Sequence, residues 1–230
     1  ARVAPWVVAA LGVGFGVWAW RNKGVPDAAP VVTRYAVTLP DSAAYFAQIS
    51  NSIAYARDGS AFAYTGSGGG AGIYIRYVDR VDPVAVAGER SGVLPFFSPD
   101  GRWLGYREGR RLMKVPLAGG VPVVLCDSCE AFGIEWGTDD TIRYNQAISA
   151  GSPLRQLMAI GAQGGSPRVL ATPESSSAET YRFPTLLPDR RTVLFTIRTR
   201  DTDRLAALDL HSGRITRFEQ LGSDPNYVEP

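Results

Sequence analysis

Cysteine and histidine are the side chains that most often bind metals or act as nucleophiles and bases, and this sequence contains few of them. Cys126 and Cys129, separated by Asp-Ser, are the only cysteines. A structural zinc site needs four ligands, so two cysteines alone do not form one. Their spacing suits either a short-loop disulfide, which forms in an oxidising compartment, or two free thiols. The sequence leaves those two states open.

His211 is the only histidine, and it lies in the stretch Asp-Leu-His-Ser-Gly at residues 209–213, which is typical of a hairpin turn. Catalysis by serine and histidine requires a carboxylate that orients the histidine toward a serine in a shaped pocket. A histidine in a turn is normally solvated. We therefore predict no catalytic residue and no metal ligand in this chain.

The glycine-rich stretch at residues 66–72, GSGGGAG, raises the question of phosphate binding. It lacks the Gly-Lys-Ser/Thr that ends a phosphate-binding P-loop and the glycine order of a kinase nucleotide loop. The kinase motifs V-A-I-K, H-R-D and D-F-G are also missing from the sequence. We predict a hairpin loop between two strands, with no bound cofactor and no phosphoryl transfer.

The charge of the chain gives no indication of a polyanionic partner. There are 24 lysines and arginines against 22 acidic residues, a formal net charge of +2, whereas nucleic-acid binding requires a concentrated basic face. We therefore predict that nucleic acid is not a partner. One local basic cluster spans a predicted hairpin turn, and we predict that it is a solvated sheet edge that discourages pairing with other chains. It consists of Arg107, Arg110, Arg111 and Lys114.

The N-terminal segment differs from the rest of the chain in composition. Residues 3–20, from Val3 to Trp20, carry no charge, and Arg2, Arg21 and Lys23 flank them. A helix of this length rises about 27 Å, close to the hydrocarbon thickness of a bilayer. The sequence therefore predicts a transmembrane helix over residues 1–22, followed by a polar, proline-containing linker over residues 23–31.

Small residues in the predicted membrane helix offer a packing face. Gly12 and Gly16 have the spacing that lets two membrane helices approach closely. The sequence thus predicts a single-pass membrane protein that can dimerise through this pair of glycines.

A turn motif recurs along the rest of the chain, before short runs that are rich in β-branched and aromatic residues. In such a turn proline presets φ, aspartate bonds the backbone that follows, and glycine takes a positive φ. The four aspartates are 42, 39 and 50 residues apart. The four copies contain, in order, Asp58-Gly59, Pro99-Asp100-Gly101, Asp139 and Pro188-Asp189.

A repeat of about 40–50 residues with four strands is the sequence signature of a β-propeller. No segment after the linker has the sustained 3.6-residue period of a helix. We predict an all-β fold, an incomplete β-propeller over residues 32–230, preceded by the transmembrane helix. Four four-stranded blades are predicted at about 49–90, 91–131, 132–180 and 181–222, and the start of a fifth at 223–230.

The second repeat resembles the unit of TolB-type, WD-repeat-like β-propellers. Residues 98–125, SPDGRWLGYREGRRLMKVPLAGGVPVVL, contain a Ser-Pro-Asp-Gly turn, an aromatic strand, a Lys-Val-Pro strand and a Gly-Gly-x-Pro turn. The third repeat departs from this pattern, since Thr-Asp-Asp replaces Pro-Asp-Gly. The wider order of segments also carries a resemblance. An apolar span is followed by a linker, the strand RYAVTLPD and then such repeats, and this order resembles that of bacterial transmembrane serine/threonine protein kinases from the membrane span to the C-terminus.

This resemblance implies a non-catalytic propeller that acts as the extracytoplasmic sensor or protein-interaction domain of such a kinase, with the kinase domain outside this sequence. It implies a propeller outside the membrane, whereas the charges that flank the span weakly favour the opposite orientation. Two alternatives stay open. In the first, the chain is the propeller domain of a prolyl-oligopeptidase-like hydrolase; in the second, it is a TolB-like envelope scaffold. Because TolB-type rings usually have six or more blades, the resemblance also implies further blades.

Overall fold

The structure, a computed structural model, describes residues 37–46, 52–67, 72–86, 92–174 and 176–225. The predicted membrane helix with Gly12 and Gly16, the linker, and residues 226–230 of the predicted fifth blade lie outside this part of the chain. Within it, no helix is long and apolar enough to cross a membrane. The chain divides into two compact units, residues 1–38 and 39–230, and the elements below belong to the second.

Sixteen strands of the described residues form four antiparallel sheets, each with its four strands in sequence order. Sheet 1 contains β1 (Ile53–Tyr55), β2 (Ala61–Gly66), β3 (Gly72–Tyr77) and β4 (Val84–Ala85). Sheet 2 contains β5 (Gly92–Phe97), β6 (Trp103–Glu108), β7 (Arg111–Pro116) and β8 (Val123–Cys126). Sheet 3 contains β9 (Phe132–Trp136), β10 (Thr141–Ala147), β11 (Arg155–Gly161) and β12 (Arg168–Ala171). Sheet 4 contains β13 (Thr180–Leu186), β14 (Thr192–Arg198), β15 (Asp203–Asp209) and β16 (Ile215–Leu221).

The four sheets pack face to face in the order in which they occur along the chain. One apolar core lies between sheets 1 and 2, a second between sheets 2 and 3, and a third between sheets 3 and 4. The first strands contact one another in turn, β1 with β5, β5 with β9, and β9 with β13. The sheets therefore fan out from their first strands, as propeller blades do. The prediction of an all-β fold made of four-stranded sheets is confirmed for the described residues.

The turn aspartates lie at equivalent places, between the first and second strands of their sheets. In each turn the aspartate Oδ1 accepts a hydrogen bond, 2.9–3.2 Å long, from the backbone N–H two residues further on. The four acceptors are Asp58, Asp100, Asp139 and Asp189. Hydrogen bonds from Ser98 and Arg102 lower the pKa of Asp100 to about 2, which shows how strongly the turn favours the ionised carboxyl group.

The residue after each turn aspartate has a left-handed backbone. Gly59 and Gly101 have φ of 71° and 66°, and Asp140 and Arg190 adopt 55° and 54° without being glycine. A left-handed backbone costs a residue with a side chain about 1 kcal/mol. The third and fourth repeats therefore form the same turn as the others although their sequences depart from Pro-Asp-Gly.

The predicted basic cluster is not a solvated edge throughout. Lys114 is 5% exposed, and its Nζ donates a hydrogen bond of 2.6 Å to the carbonyl oxygen of Ala162 in sheet 3 and lies 4.5 Å from the Trp103 ring centroid. Arg107 is half-buried against Phe132. The prediction is wrong for these two residues because strand β7 and the end of β6 lie between neighbouring sheets. Only Arg110 and Arg111 are exposed.

Gly105 in β6 creates the space that one aromatic ring of the second core occupies. A Cβ atom added to Gly105 would fall on the ring of Phe96, the residue directly across from it in β5. That ring is buried and lies 6.1 Å from the Trp136 ring between their centroids. We expect Gly105→Ala to lower the free energy of unfolding by about 2 kcal/mol, because the ring has no room to move.

Urea denaturation measures this change. The matched control is Gly161→Ala in β11, where an added Cβ meets only the carbonyl oxygen of Gly164, at 3.6 Å. We expect this control to change the free energy of unfolding by less than about 0.5 kcal/mol. Equal stability of the Gly105→Ala variant and the native protein would contradict the packing described for Phe96.

Candidate functional site

A cavity of about 610 Å³ lies where the first strands of the four sheets meet. Its wall is formed by residues 52–55, 94–99, 134–136 and 185–186, with Tyr45, Arg57 and Asp224 from the adjoining segments. A cavity of this size is typical of binding sites in proteins. The fan-like arrangement of the sheets therefore produces one central candidate site.

Glu135 is the ionisable group that lies deepest in the wall of this cavity. Burial raises the pKa of its carboxyl group to about 7, and the nearby charge of Arg143 opposes the rise only in part. The Oε2 atom has no hydrogen-bond partner in the described part of the protein. It lies 3.8 Å from Nη1 of Arg143, too far for a hydrogen bond.

Arg143 is committed to another carboxylate. Its guanidinium group donates two hydrogen bonds to Asp139, with Nη1–Oδ1 and Nη2–Oδ2 distances of 3.0 and 2.5 Å. The Arg143 side chain is only 1% exposed, whereas Asp139 lies in the exposed turn between β9 and β10. Glu135 is consequently the carboxylate of this group with unused capacity to bind a cation.

Aromatic side chains and one further cation complete the chemistry of the wall. Arg57 is close enough for its charge to lower the pKa of Glu135. Tyr45 Oη and Ser52 Oγ lie 2.5 Å apart and share a hydrogen bond. Tyr55 is 72% exposed, and Nε1 of Trp136 has no hydrogen-bond partner among the described residues. The wall therefore combines aromatic surface with a buried acid.

The first strands of sheets 2, 3 and 4 each contain a bulge that bends them at the cavity. The pairing register shifts between Val93 and Phe96 in β5 and between Arg182 and Thr185 in β13. In sheet 3 it shifts between Phe132 and Glu135 of β9, which pair with Asn145 and Arg143 of β10. Each strand has one residue with a left-handed backbone, and these residues are Leu94, Gly133 and Phe183 with φ of 57°, 50° and 51°. Bulges of this kind re-aim side chains and often lie beside functional sites.

The residues that sequence analysis weighed for catalysis lie apart from the cavity. His211 is exposed in the turn after β15, where its backbone N–H donates a hydrogen bond to Asp209 Oδ1. The described residues contain no group of three or more potential metal ligands. Of residues 66–72, Gly66 ends β2 and Gly72 begins β3, and residues 68–71 lie outside the described part of the chain.

Cys126 and Cys129 form a disulfide in the connection between sheets 2 and 3. Cys126 ends β8, and Cys129 is fully buried in the core between these sheets. The Sγ atom of Cys129 lies 3.0 Å from Oη of Tyr144, and burial raises the pKa of Tyr144 to about 12. Of the two states that the sequence left open, the structure has the disulfide, and it anchors the start of sheet 3.

Sequence analysis missed the cavity residues Arg57, Glu135 and Trp136. One signal pointed to Glu135, the only charged residue in the otherwise apolar stretch Phe-Gly-Ile-Glu-Trp of β9. A charged residue within a mostly apolar strand is uncommon unless it is paired, so Glu135 points to a specific role. The aspartates and prolines of the turns are not part of the cavity wall, except for Pro99.

No protein-family model matches the sequence, and no curated protein gives a significant match. Solved structures share the fold. TolB of Agrobacterium tumefaciens gives a TM-score of 0.59 at 19% identity, over 73% of this chain and 64% of that one. TolB of Acinetobacter baumannii gives 0.58 at 15% identity, over 77% and 45%. A structure from a study of prolyl endopeptidases gives 0.53 at 13% identity, over 74% and 28%.

These similarities define the class of fold. The described strands and the solved structures agree on a TolB-like β-propeller, as the sequence predicted. The chain spans less than two thirds of the length of either TolB protein. At identities below a fifth, the similarity is one of architecture, and function has to be argued from the cavity.

The raised pKa of Glu135 predicts a specific dependence of stability on pH. Between about pH 4.5, the ordinary value, and about pH 7, the folded protein binds more protons than the unfolded chain. The free energy of unfolding therefore falls as the pH rises through this range, by up to about 3 kcal/mol from this group alone. We expect Glu135→Gln to abolish most of that fall.

Urea denaturation at a series of pH values tests this expectation. The control variant is Glu174→Gln, which removes an exposed carboxylate and should leave the fall in place. A native protein whose stability is level from pH 5 to pH 7, or equal slopes for the native protein and the Glu135→Gln variant, would show that Glu135 is not buried as described.

Proposed function

We propose that this propeller is a non-catalytic protein-binding module whose central cavity receives a basic side chain of a partner protein. The observation that carries the proposal is the Glu135 carboxyl group: its side chain is 24% exposed in the cavity wall, and its buried Oε2 lacks a hydrogen-bond partner among the described residues. A buried carboxylate without full hydrogen bonding costs free energy, and a cationic ligand group recovers that cost. Lysine and arginine side chains are the cations that proteins offer.

The aromatic part of the wall supports a protein ligand. Tyr45 and Tyr55 are 38% and 72% exposed, and tyrosine is enriched among the residues that dominate protein interfaces. A lysine or arginine that enters the cavity can also contact the face of such a ring, which is favourable for a cation. Loops on a rigid scaffold are the usual place for recognition, and a propeller provides that scaffold.

The proposed setting is the extracytoplasmic side of a membrane, where the module senses a partner for a bacterial transmembrane serine/threonine kinase. Its support is the sequence resemblance, together with the uncharged residues 3–20 ahead of the propeller. The disulfide between Cys126 and Cys129 fits this setting, since disulfides persist in oxidising compartments. Dimerisation through Gly12 and Gly16 belongs to the same proposal.

Two other settings use the same fold. The similarity to a prolyl endopeptidase structure suits a propeller that accompanies a serine hydrolase domain, and the similarity to TolB suits an envelope scaffold. Glu135 and the aromatic wall favour binding over a purely structural part. Neither alternative has a feature of the described residues that favours it over the kinase setting.

Peptide selection tests the cavity as the binding site. A phage-displayed library of random peptides is panned on the native protein at pH 8, where Glu135 is ionised, and the selected peptides are measured by fluorescence anisotropy. We expect them to contain lysine or arginine and to bind Glu135→Gln about ten-fold or more weakly, because the charged hydrogen bond is lost. Binding to Glu174→Gln should match the native protein. A selection that yields no basic peptide, or basic peptides that bind all three proteins equally, would refute the proposal.

Protease accessibility in the native cell tests the setting. The full-length protein is treated with protease in intact spheroplasts and then assayed for autophosphorylation. We expect digestion of the propeller from outside and incorporation of phosphate from ATP. Protection of the propeller would reject the extracytoplasmic location, and covalent labelling by a fluorophosphonate without phosphorylation would assign the full-length protein to the serine hydrolases instead.

A further inference from the structure

Three arginines from three successive sheets meet at the end of the propeller where the first strands begin. Arg107 is near the end of β6, Arg155 begins β11, and Arg182 lies in β13. The turn aspartates lie at the opposite end, since they follow the first strands. We call Arg107, Arg155 and Arg182 the arginine array.

The array is built on two phenylalanine rings. The guanidinium carbons of Arg107 and Arg155 each lie 4.2 Å from the centroid of Phe132, and that of Arg182 lies 4.8 Å from the centroid of Phe183. A Cβ added to Gly133 would lie 2.7 Å from the Phe183 ring, so this glycine allows the two stacks to adjoin. A guanidinium group stacked on a ring keeps the N–H groups along its edge for other partners.

The array has hydrogen-bonding capacity that the protein does not use. Nε of Arg107, Nη1 of Arg155 and Nε of Arg182 are buried and have no hydrogen-bond partner within the described residues, and Nη1 of Arg107 donates a hydrogen bond of 3.3 Å to the carbonyl oxygen of Ala131. All three residues are half-buried. Unpartnered donors on partly buried charges are uncommon in folded proteins, and such donors often mark the place where an ion or a ligand binds.

Positive charge exceeds negative charge around the array. Burial and the proximity of Arg155 lower the pKa of Arg107, and burial, Arg198 and Arg155 lower the pKa of Arg182. Two carboxylates whose charge reaches the array are engaged elsewhere, in ion pairs with Arg110 and Arg198 at 3.5 and 2.6 Å. They are Glu130 and Asp203, and Asp224 also acts on Arg182.

We propose that the arginine array binds the carboxylate groups of an acidic peptide segment of a partner protein. The guanidinium carbons of Arg107 and Arg155 cannot lie further apart than twice 4.2 Å. Alternate residues of an extended peptide are about 7 Å apart on the same side, so two glutamates at this spacing can each meet one arginine. The planar edge of a guanidinium group pairs with a carboxylate through two parallel hydrogen bonds.

The surroundings favour separate carboxylates over a dense polyanion. A groove of about 590 Å³ beside Arg107 is lined by Arg110 and Arg111 and also by Glu108 and Asp127. These two acids would repel the closely spaced charges of a nucleic acid or a sulfated glycan, whereas a peptide can place neutral residues beside them. This inference goes beyond the proposed function, because it uses other residues and the opposite charge at a different place.

The test uses a fluorescein-labelled peptide of four Glu–Thr repeats and its Gln–Thr counterpart, measured by fluorescence anisotropy with the whole chain. We expect the glutamate peptide to bind and the glutamine peptide not to bind. The affinity of the glutamate peptide should fall as the ionic strength rises to about 0.15 M. Arg155→Gln and Arg182→Gln should each weaken binding about ten-fold or more. The charge-matched control is Arg168→Gln, an exposed residue of the hairpin at the opposite end, and it should change binding less than about two-fold.

Two further variants separate recognition from folding and from simple attraction. Arg155→Lys keeps the charge but loses the planar edge, so we expect it to bind nearly as weakly as Arg155→Gln. Phe132→Leu keeps every charge and removes the ring, and we expect a loss of several-fold. Thermal unfolding is measured for every variant, and variants that remain folded decide the outcome.

Several results would overturn this inference. They are equal binding of both peptides, an unchanged affinity in folded Arg155→Gln and Arg182→Gln, full affinity in Arg155→Lys, or no binding of the glutamate peptide. Glu135→Gln should leave acidic-peptide binding intact, and Arg155→Gln should leave basic-peptide binding to the cavity intact. A failure here is therefore distinguishable from a failure of the proposed function.

Discussion

A four-stranded sheet whose strands are mostly four to seven residues long cannot bury an apolar face by itself, and every other feature of this protein depends on that constraint. The sheets satisfy it by packing on one another in sequence order, which leaves three cores between four sheets. Sheets 2 and 3 pack against a neighbour on both faces. The first strands of neighbouring sheets contact one another. The central cavity and the low-dielectric position of Glu135 both follow from this packing.

The parts of the fold that depend on local sequence were the predictable ones. Asp100 and its three counterparts form turns through hydrogen bonds to residues two positions away. The spacing of these aspartates in the sequence therefore indicates where the first two strands of each sheet are joined. The two sites depend instead on residues that meet across sheets. Phe132 contacts Arg107 and Arg155 from two other strands, and no periodicity predicts that meeting. Lys114 shows the same limit, since its burial is set by a carbonyl group of the next sheet.

Both proposed binding sites rely on unused hydrogen-bonding capacity of charged groups. Glu135 has a buried oxygen, and the arginine array has buried guanidinium nitrogens, without a hydrogen-bond partner in the described part of the chain. The fold supplies the rigidity that makes these groups selective, because Asp139 holds Arg143 and phenylalanine rings hold the array. In the proposed function and the further inference, the module binds a basic group of a partner in the cavity and acidic groups at the arginine array.

The central claim is that the packing of the sheets buries Glu135 in the cavity wall. The most direct test is a carboxyl ¹³C NMR titration of the native protein with labelled glutamate, assigned by comparison with Glu135→Gln. The account predicts one glutamate signal that titrates near pH 7, the value that burial gives Glu135, and that disappears in the variant. If every glutamate titrates near its ordinary pKa of 4.5, solvent or Arg143 stabilises the Glu135 carboxylate, and the account of a buried, incompletely paired acid in the cavity wall is contradicted.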